Sequence, residues 1–142
     1  MIYKYRTMNL TGETEAKQAS KDDPRVYPAG RWLRKLSLDE LPQFINVLKG
    51  DMSVVGPRPH LPMHEEVFVR VMRRYLIRKF IRPGITGWAQ VNGASGVVTT
   101  PSAVRKLVRL DLEYVSRASL WLDLQILLRS APLLTRTGKP AG

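Results

Sequence analysis

The chain has 142 residues, 44% of them apolar, with 23 lysines and arginines against 12 aspartates and glutamates, a net charge of +11. This length suits one hydrophobic core rather than two full domains, and the apolar share excludes global disorder. With no cysteine, disulfides and thiolate metal sites are excluded, and the charge excess calls for an anionic partner: nucleic acid, an acidic membrane surface or a phosphorylated substrate.

Residues 1–8 alternate, with Ile2 on the face opposite Tyr3 and Tyr5, and read as a strand without the apolar core of a signal peptide. A domain that opens mid-strand is expected to be truncated. Residues 9–29, with Gly12, Pro24 and Pro28, read as a polar loop, and a short basic segment Gly30–Lys35 follows. Leu41, Phe44, Ile45 and Leu48 are spaced as a helix that Gly50 stops; 51–59 reads as a loop with a short strand around Val54 and Val55. Residues 63–80 give an amphipathic helix, with Phe68, Val71, Met72, Tyr75 and Leu76 on one face and Arg70, Arg73, Arg74 and Arg78 on the other. Pro83–Trp88 reads as a turn with a short extended piece through Val91.

Thr100 and Pro101 mark the cap and first turn of a helix to about Val115. Ser119 caps a last helix over Leu120–Leu128, which Asp123 and Gln125 interrupt, so no apolar run approaches the roughly 20 residues of a spanning helix. The expected class is α+β, mostly helical with a few short strands, in a single domain over 1–142.

Chemistry concentrates in Ser37-Leu38-Asp39-Glu40-Leu41-Pro42-Gln43, followed by Lys49-Gly50-Asp51-Met52-Ser53 and Gly56-Pro57-Arg58-Pro59. Ser37 and Glu40 fit a capping box, in which both acids complement a helix dipole. Against this, Pro42 lacks the amide proton a regular helix from Leu38 would use, so the first turn is irregular or the helix begins near Leu41. Arg31, Arg34 and Lys35 lie just upstream, and cations keep a carboxylate ionised, as a nucleophile or magnesium ligand must be. Magnesium takes one or two carboxylates plus substrate phosphate oxygens, so two acids suffice. The residues alone leave both readings open.

Pro57 and Pro59 restrict the backbone around Arg58 and limit the entropy lost when its guanidinium meets an anion; an ordinary surface turn is the plainer alternative. Arg82, opening Arg82-Pro83-Gly84-Ile85-Thr86-Gly87-Trp88, is either a cation beside a tight turn or a phosphate clamp. His60 and His64 are four apart and could share a helix face as metal ligands. The basic helix suits a solvated core helix, a nucleic-acid surface or a membrane surface.

Lys4-Tyr5-Arg6-Thr7-Met8, Asp23-Pro24-Arg25-Val26, Ser37 to Gln43, Asn46 to Ser53, Gly56 to Pro59, Arg82 to Gly93, Asp111 and Ser119 to Asp123 resemble, in order and across nearly the whole chain, the bacterial sugar transferases. They are closest to the monotopic polyprenyl-phosphate phosphoglycosyl transferases of surface-glycan assembly. The resemblance implies transfer of a sugar 1-phosphate from a UDP-sugar to undecaprenyl phosphate with release of UMP, at the cytoplasmic face of the bacterial inner membrane. It makes Asp39 the nucleophile that forms a phosphosugar intermediate and Glu40 the Mg2+ ligand. Arg34 becomes a phosphate contact and Arg58, with Pro57 and Pro59, a nucleotide contact; Arg82 joins them as a candidate substrate contact. Implied partners are the UDP-sugar, undecaprenyl phosphate and an anionic membrane surface, with no nucleic acid. A catalytically silent fragment that binds anionic lipid or nucleotide-sugar is the alternative.

Two departures from the family are expected to matter. By the resemblance, the hydrophobic re-entrant membrane helix and the basic segment that precede this domain in the family are expected to be missing. Ala94-Ser95-Gly96 also stands where many members carry an arginine after Gln90-Val91-Asn92-Gly93; Arg105 is a candidate substitute.

Overall fold

A computed structural model describes residues 1–9, 23–94 and 100–135. It is mostly helical, with two short parallel strands, in line with the α+β expectation. In chain order the elements are α1 (Pro28–Lys35), a 3₁₀ turn (Leu38–Glu40), α2 (Gln43–Leu48), β1 (Ser53–Val55), α3 (Pro62–Val71) and a 3₁₀ segment (Arg73–Phe80). These are followed by β2 (Gly84–Thr86), α4 (Trp88–Val91), α5 (Pro101–Arg117) and α6 (Leu120–Thr135).

β1 and β2 pair in parallel, Ser53 opposite Gly84 and Val55 opposite Thr86, which requires a crossover; α3 and the 3₁₀ segment supply it. Backbones meet closely where β1 ends. A Cβ on Gly84 would lie 2.1 Å from the Gly56 nitrogen, so a side chain there would push apart the turn that carries Arg58. Phe68, Tyr75, Ala89, Val104, Leu107 and Val108 form one buried cluster, and Val55, Tyr114, Leu122 and Ile126 a second. α5 serves both, because Val104, Leu107, Val108, Asp111 and Tyr114 recur at helical spacing along its buried face.

The expected caps form: Thr100 Oγ1 accepts from the Ala103 amide at 3.2 Å and Ser119 Oγ from the Leu122 amide at 3.2 Å. α6 runs past Leu128, to Thr135. Other expectations need correcting. Residues 1–7 form no strand; an isolated antiparallel bridge, Met8 to Val26, stands in its place. The loop expected over 9–29 ends in α1, whose first residue is Pro28: a proline at this position has no amide to lose and a φ already suited to the helix. Residues 10–22 of that loop lie outside the described residues.

The helix expected over 63–80 breaks at Met72 (φ −152°, ψ 102°) and continues as 3₁₀, which turns Arg78 inward: it is buried, whereas Arg70, Arg73 and Arg74 are exposed as expected and Leu76 is exposed too. The piece after Gly87 is a helical turn, α4, rather than extended. His60 precedes α3, so it shares no helix with His64, and no group of three or more metal-ligating side chains occurs among the described residues.

α2 is inverted relative to a core helix. Its polar Gln43 and Asn46 are buried, while Leu41, just ahead of it, and Phe44, Ile45 and Leu48 are exposed. Leu120, Trp121, Leu124 and Leu128 of α6 are exposed as well. A cavity of about 720 Å³ lined by Val47, Val55, Leu124 and Leu127 lies between the two helices. Among the described residues no helix is long and apolar enough to cross a membrane.

Candidate active site

The capping box does not form. Ser37 takes a left-handed conformation (φ 54°) with no side-chain cap, and Asp39 and Glu40 ride on the short 3₁₀ turn instead. Because Pro42 cannot donate, α2 starts only at Gln43, and the irregular first turn expected from that proline is present. The turn leaves the Asp39 backbone carbonyl to accept from the Tyr5 amide at 3.0 Å.

That bond belongs to a row that lays residues 1–7 along the site. Buried Asn46 accepts from the Tyr3 amide at 2.9 Å and donates to the Met1 carbonyl at 2.7 Å. Lys49 donates to the Tyr3 hydroxyl at 2.8 Å, and Arg34 Nε donates to Thr7 Oγ1 at 2.8 Å. Thr7 can pass over α1 because residue 30 is glycine: a Cβ there would sit 2.3 Å from the Thr7 carbonyl oxygen.

The extended segment thereby delivers Lys4, a residue that sequence reasoning did not place in the site. Its Nζ lies 3.0 Å from Asp39 Oδ2 and 3.4 Å from Glu40 Oε1. Arg58 also reaches Glu40, with both terminal nitrogens, and shares Oε1 with Lys4. Burial pushes the Glu40 carboxyl up, but Arg58, and then Lys4, outweigh it and hold the group below its usual range. Arg58, in turn, is penalised by burial yet raised by Glu40 and Asp39. Asp39 is 3% exposed, with Lys4 as its ion-pair partner.

Pro57 is buried beside Arg58, and both Pro57 and Pro59 line a cavity of about 190 Å³ with Arg58. Arg34 and Arg82 do not join this cluster. Among the described residues neither forms an ion pair with either carboxylate; Arg34 lies on Thr7, and Arg82 lines the larger cavity against α6. Ala94 packs against the Phe68 cluster, while Ser95 and Gly96 lie outside the described residues. Arg105 is an exposed residue of α5. The arrangement thus presents two adjacent carboxylates, one of them buried, between two cations on separate segments.

The bacterial sugar transferase family matches residues 1–137. The chain belongs to this family. Among curated members it is 47% identical over 126 residues to the UDP-glucose:undecaprenyl-phosphate glucose-1-phosphate transferase of Escherichia coli (strain K12), an alignment covering 88% of this chain and 27% of that protein. It is 44% identical to the Caulobacter vibrioides protein of the same name, over 96% of this chain and 51% of the relative. It is 43% identical to the UDP-N-acetylgalactosamine-undecaprenyl-phosphate N-acetylgalactosaminephosphotransferase of Aeromonas hydrophila, over 91% of this chain and 30% of the relative. The sugar transferase chain therefore spans between about a quarter and about half of the length of these relatives.

Proposed function

We propose that this chain transfers a sugar 1-phosphate from a UDP-sugar to undecaprenyl phosphate and releases UMP. The observation that carries the reading is the Asp39–Glu40 pair set between Lys4 and Arg58. An anionic nucleophile approaches a diphosphate only where cations offset the repulsion, and here two cations from separate segments share Glu40 Oε1. In this reading an Asp39 carboxylate oxygen attacks the β-phosphorus. The new O–P bond forms as the bond to the bridging oxygen breaks, and that electron pair leaves with UMP. A phosphate oxygen of undecaprenyl phosphate then attacks the phosphosugar on Asp39, and the aspartyl oxygen departs as carboxylate. No proton is gained or lost over the cycle.

The donor set suits magnesium: two adjacent carboxylates, no soft ligand, and substrate phosphates to complete the shell. Glu40, with Asp39 beside it, would hold the ion, which neutralises phosphate charge when bound. Lys4 and Arg58 then exchange carboxylate contacts for phosphate contacts as substrate enters. Arg34 and Arg82, being outside the cluster, would act on parts of the substrate away from the reacting phosphorus.

The inverted α2 and the exposed apolar residues of α6 support docking at the cytoplasmic face of a bacterial inner membrane, where the lipid substrate resides. The relatives' names make UDP-glucose and UDP-N-acetylgalactosamine the first sugars to test. Purified chain, magnesium, undecaprenyl phosphate and each UDP-sugar should yield UMP, and Asp39→Asn or a chelator should abolish it. A wild-type chain that binds the UDP-sugar yet yields no UMP would be a silent binder, and the transfer reading would fall.

A further inference from the structure

Behind Arg58 lies a second charged cluster that the transfer reaction does not use. Arg78 is 5% exposed, and each of its guanidinium nitrogens has a partner. Nε lies 3.3 Å from Asp111 Oδ2, Nη1 donates to His60 Nδ1, and Nη2 donates to the main-chain carbonyl of Arg58. Its carbon sits 5.0 Å from the centre of the Tyr75 ring, and Tyr75 and Asp111 are themselves buried. Since arginine only donates, His60 Nδ1 must accept, so the imidazole is neutral with its proton on Nε2. Burial first, then Arg78, pushes that group down to about 3, which keeps it an acceptor.

Two features make the Arg58 carbonyl a meaningful place to hold. The turn contains two prolines, which have no amide to donate, so it is anchored chiefly through its carbonyls. The Gly84 amide holds the Pro57 carbonyl at 3.0 Å, and Arg78 holds that of Arg58. Beside them the 190 Å³ cavity, lined by Arg58, His60, Tyr75, Arg78 and Lys79, gives the Arg58 side chain somewhere to go if the turn is released.

We infer that the Arg78–Asp111 pair is a positioning device for Arg58. Seated between α5 and the crossover, it fixes the main chain of the Pro57–Pro59 turn and so aims the Arg58 guanidinium at Glu40. Arg78 and Asp111 are positioning residues that touch no substrate. The inference rests on the transfer reading only for its activity readout.

The test compares wild type, Arg78→Lys, Arg58→Ala and the double variant by two measurements. The first is 15N relaxation of the Arg58 Nε–H signal, assigned by its loss in Arg58→Ala. The second is UMP release. Arg78→Lys is expected to mobilise the Arg58 signal and slow release roughly 10- to 100-fold, but to cost less than about threefold more once Arg58 is alanine. An Arg58 signal unchanged in folded Arg78→Lys, or losses that multiply in the double variant, would overturn the inference. Should Arg78→Lys not fold, Asp111→Asn and His60→Gln each remove one tie and should loosen Arg58 less, in the same direction. If all three unfold, the cluster is plain core and the inference fails. A wild type that makes no UMP while Arg58 still loosens on substitution breaks the transfer reading and leaves the positioning role standing.

Discussion

Glu40 and Asp111 both face an arginine, and their carboxyls move in opposite directions. Glu40 sits in a partly open cluster with two cations, which outweigh its desolvation and hold it below its usual range. Asp111 is 2% exposed with one cation; there desolvation wins over Arg78 and lifts the group to about 6. The 3.3 Å contact is an ion pair without hydrogen-bond alignment, since Asp111 Oδ2 is otherwise unpartnered among the described residues. The lesson is that arginine alone does not hold a carboxyl at or below its usual range. The number of cations and the access of water decide it, so one cluster is poised for phosphate chemistry and the other for holding shape.

Asp39→Asn removes the proposed nucleophile and should lower UMP release at least roughly 1000-fold, about 4 kcal/mol of barrier, with the melting temperature little changed. On the buried side, folded Asp111 keeps its proton up to about 6 whereas the unfolded chain loses it near 3.8. Stability should therefore fall by about 3 kcal/mol as pH rises through that window and level off above it. Urea titrations at several pH values would show the slope, and Asp111→Asn should flatten it.

Lys4→Met removes one of the two cations at the dyad and should raise KM for the UDP-sugar about tenfold, roughly 1.4 kcal/mol, with a rise in the Glu40 titration midpoint. Smallest is the backbone beneath the pair. Ser37 holds a left-handed φ of 54°, so Ser37→Gly should be neutral or gain up to about 1 kcal/mol, while Ser37→Val should lose about 1–2 kcal/mol in thermal melts.

Local signals carried the sequence reading furthest. Thr100-Pro101 and Ser119 announce α5 and α6 because capping is decided within four residues, and the 3₁₀ turn at Asp39–Glu40 follows from Pro42. Lys4 escaped because it meets Glu40 across 36 positions, through Asn46 and Gly30, and nothing near Lys4 encodes that reach. Arg78 escaped because the 63–80 pattern sets it among exposed arginines; the break at Met72 that turns it inward comes from tertiary packing. α1 was hidden by Pro28, which suggests a loop but serves here as a helix start.

Asn46 is the clasp on which the first residues hang. Its fully buried amide faces two acceptors, the Met1 carbonyl at 2.7 Å and Asp51 Oδ2 at 3.3 Å. Asn46→Asp would exchange that donor nitrogen for an oxygen of nearly the same size, setting acceptor against acceptor and a second negative charge beside Asp51. That one-atom change would loosen the first residues from α2 and withdraw Lys4 from the carboxylates.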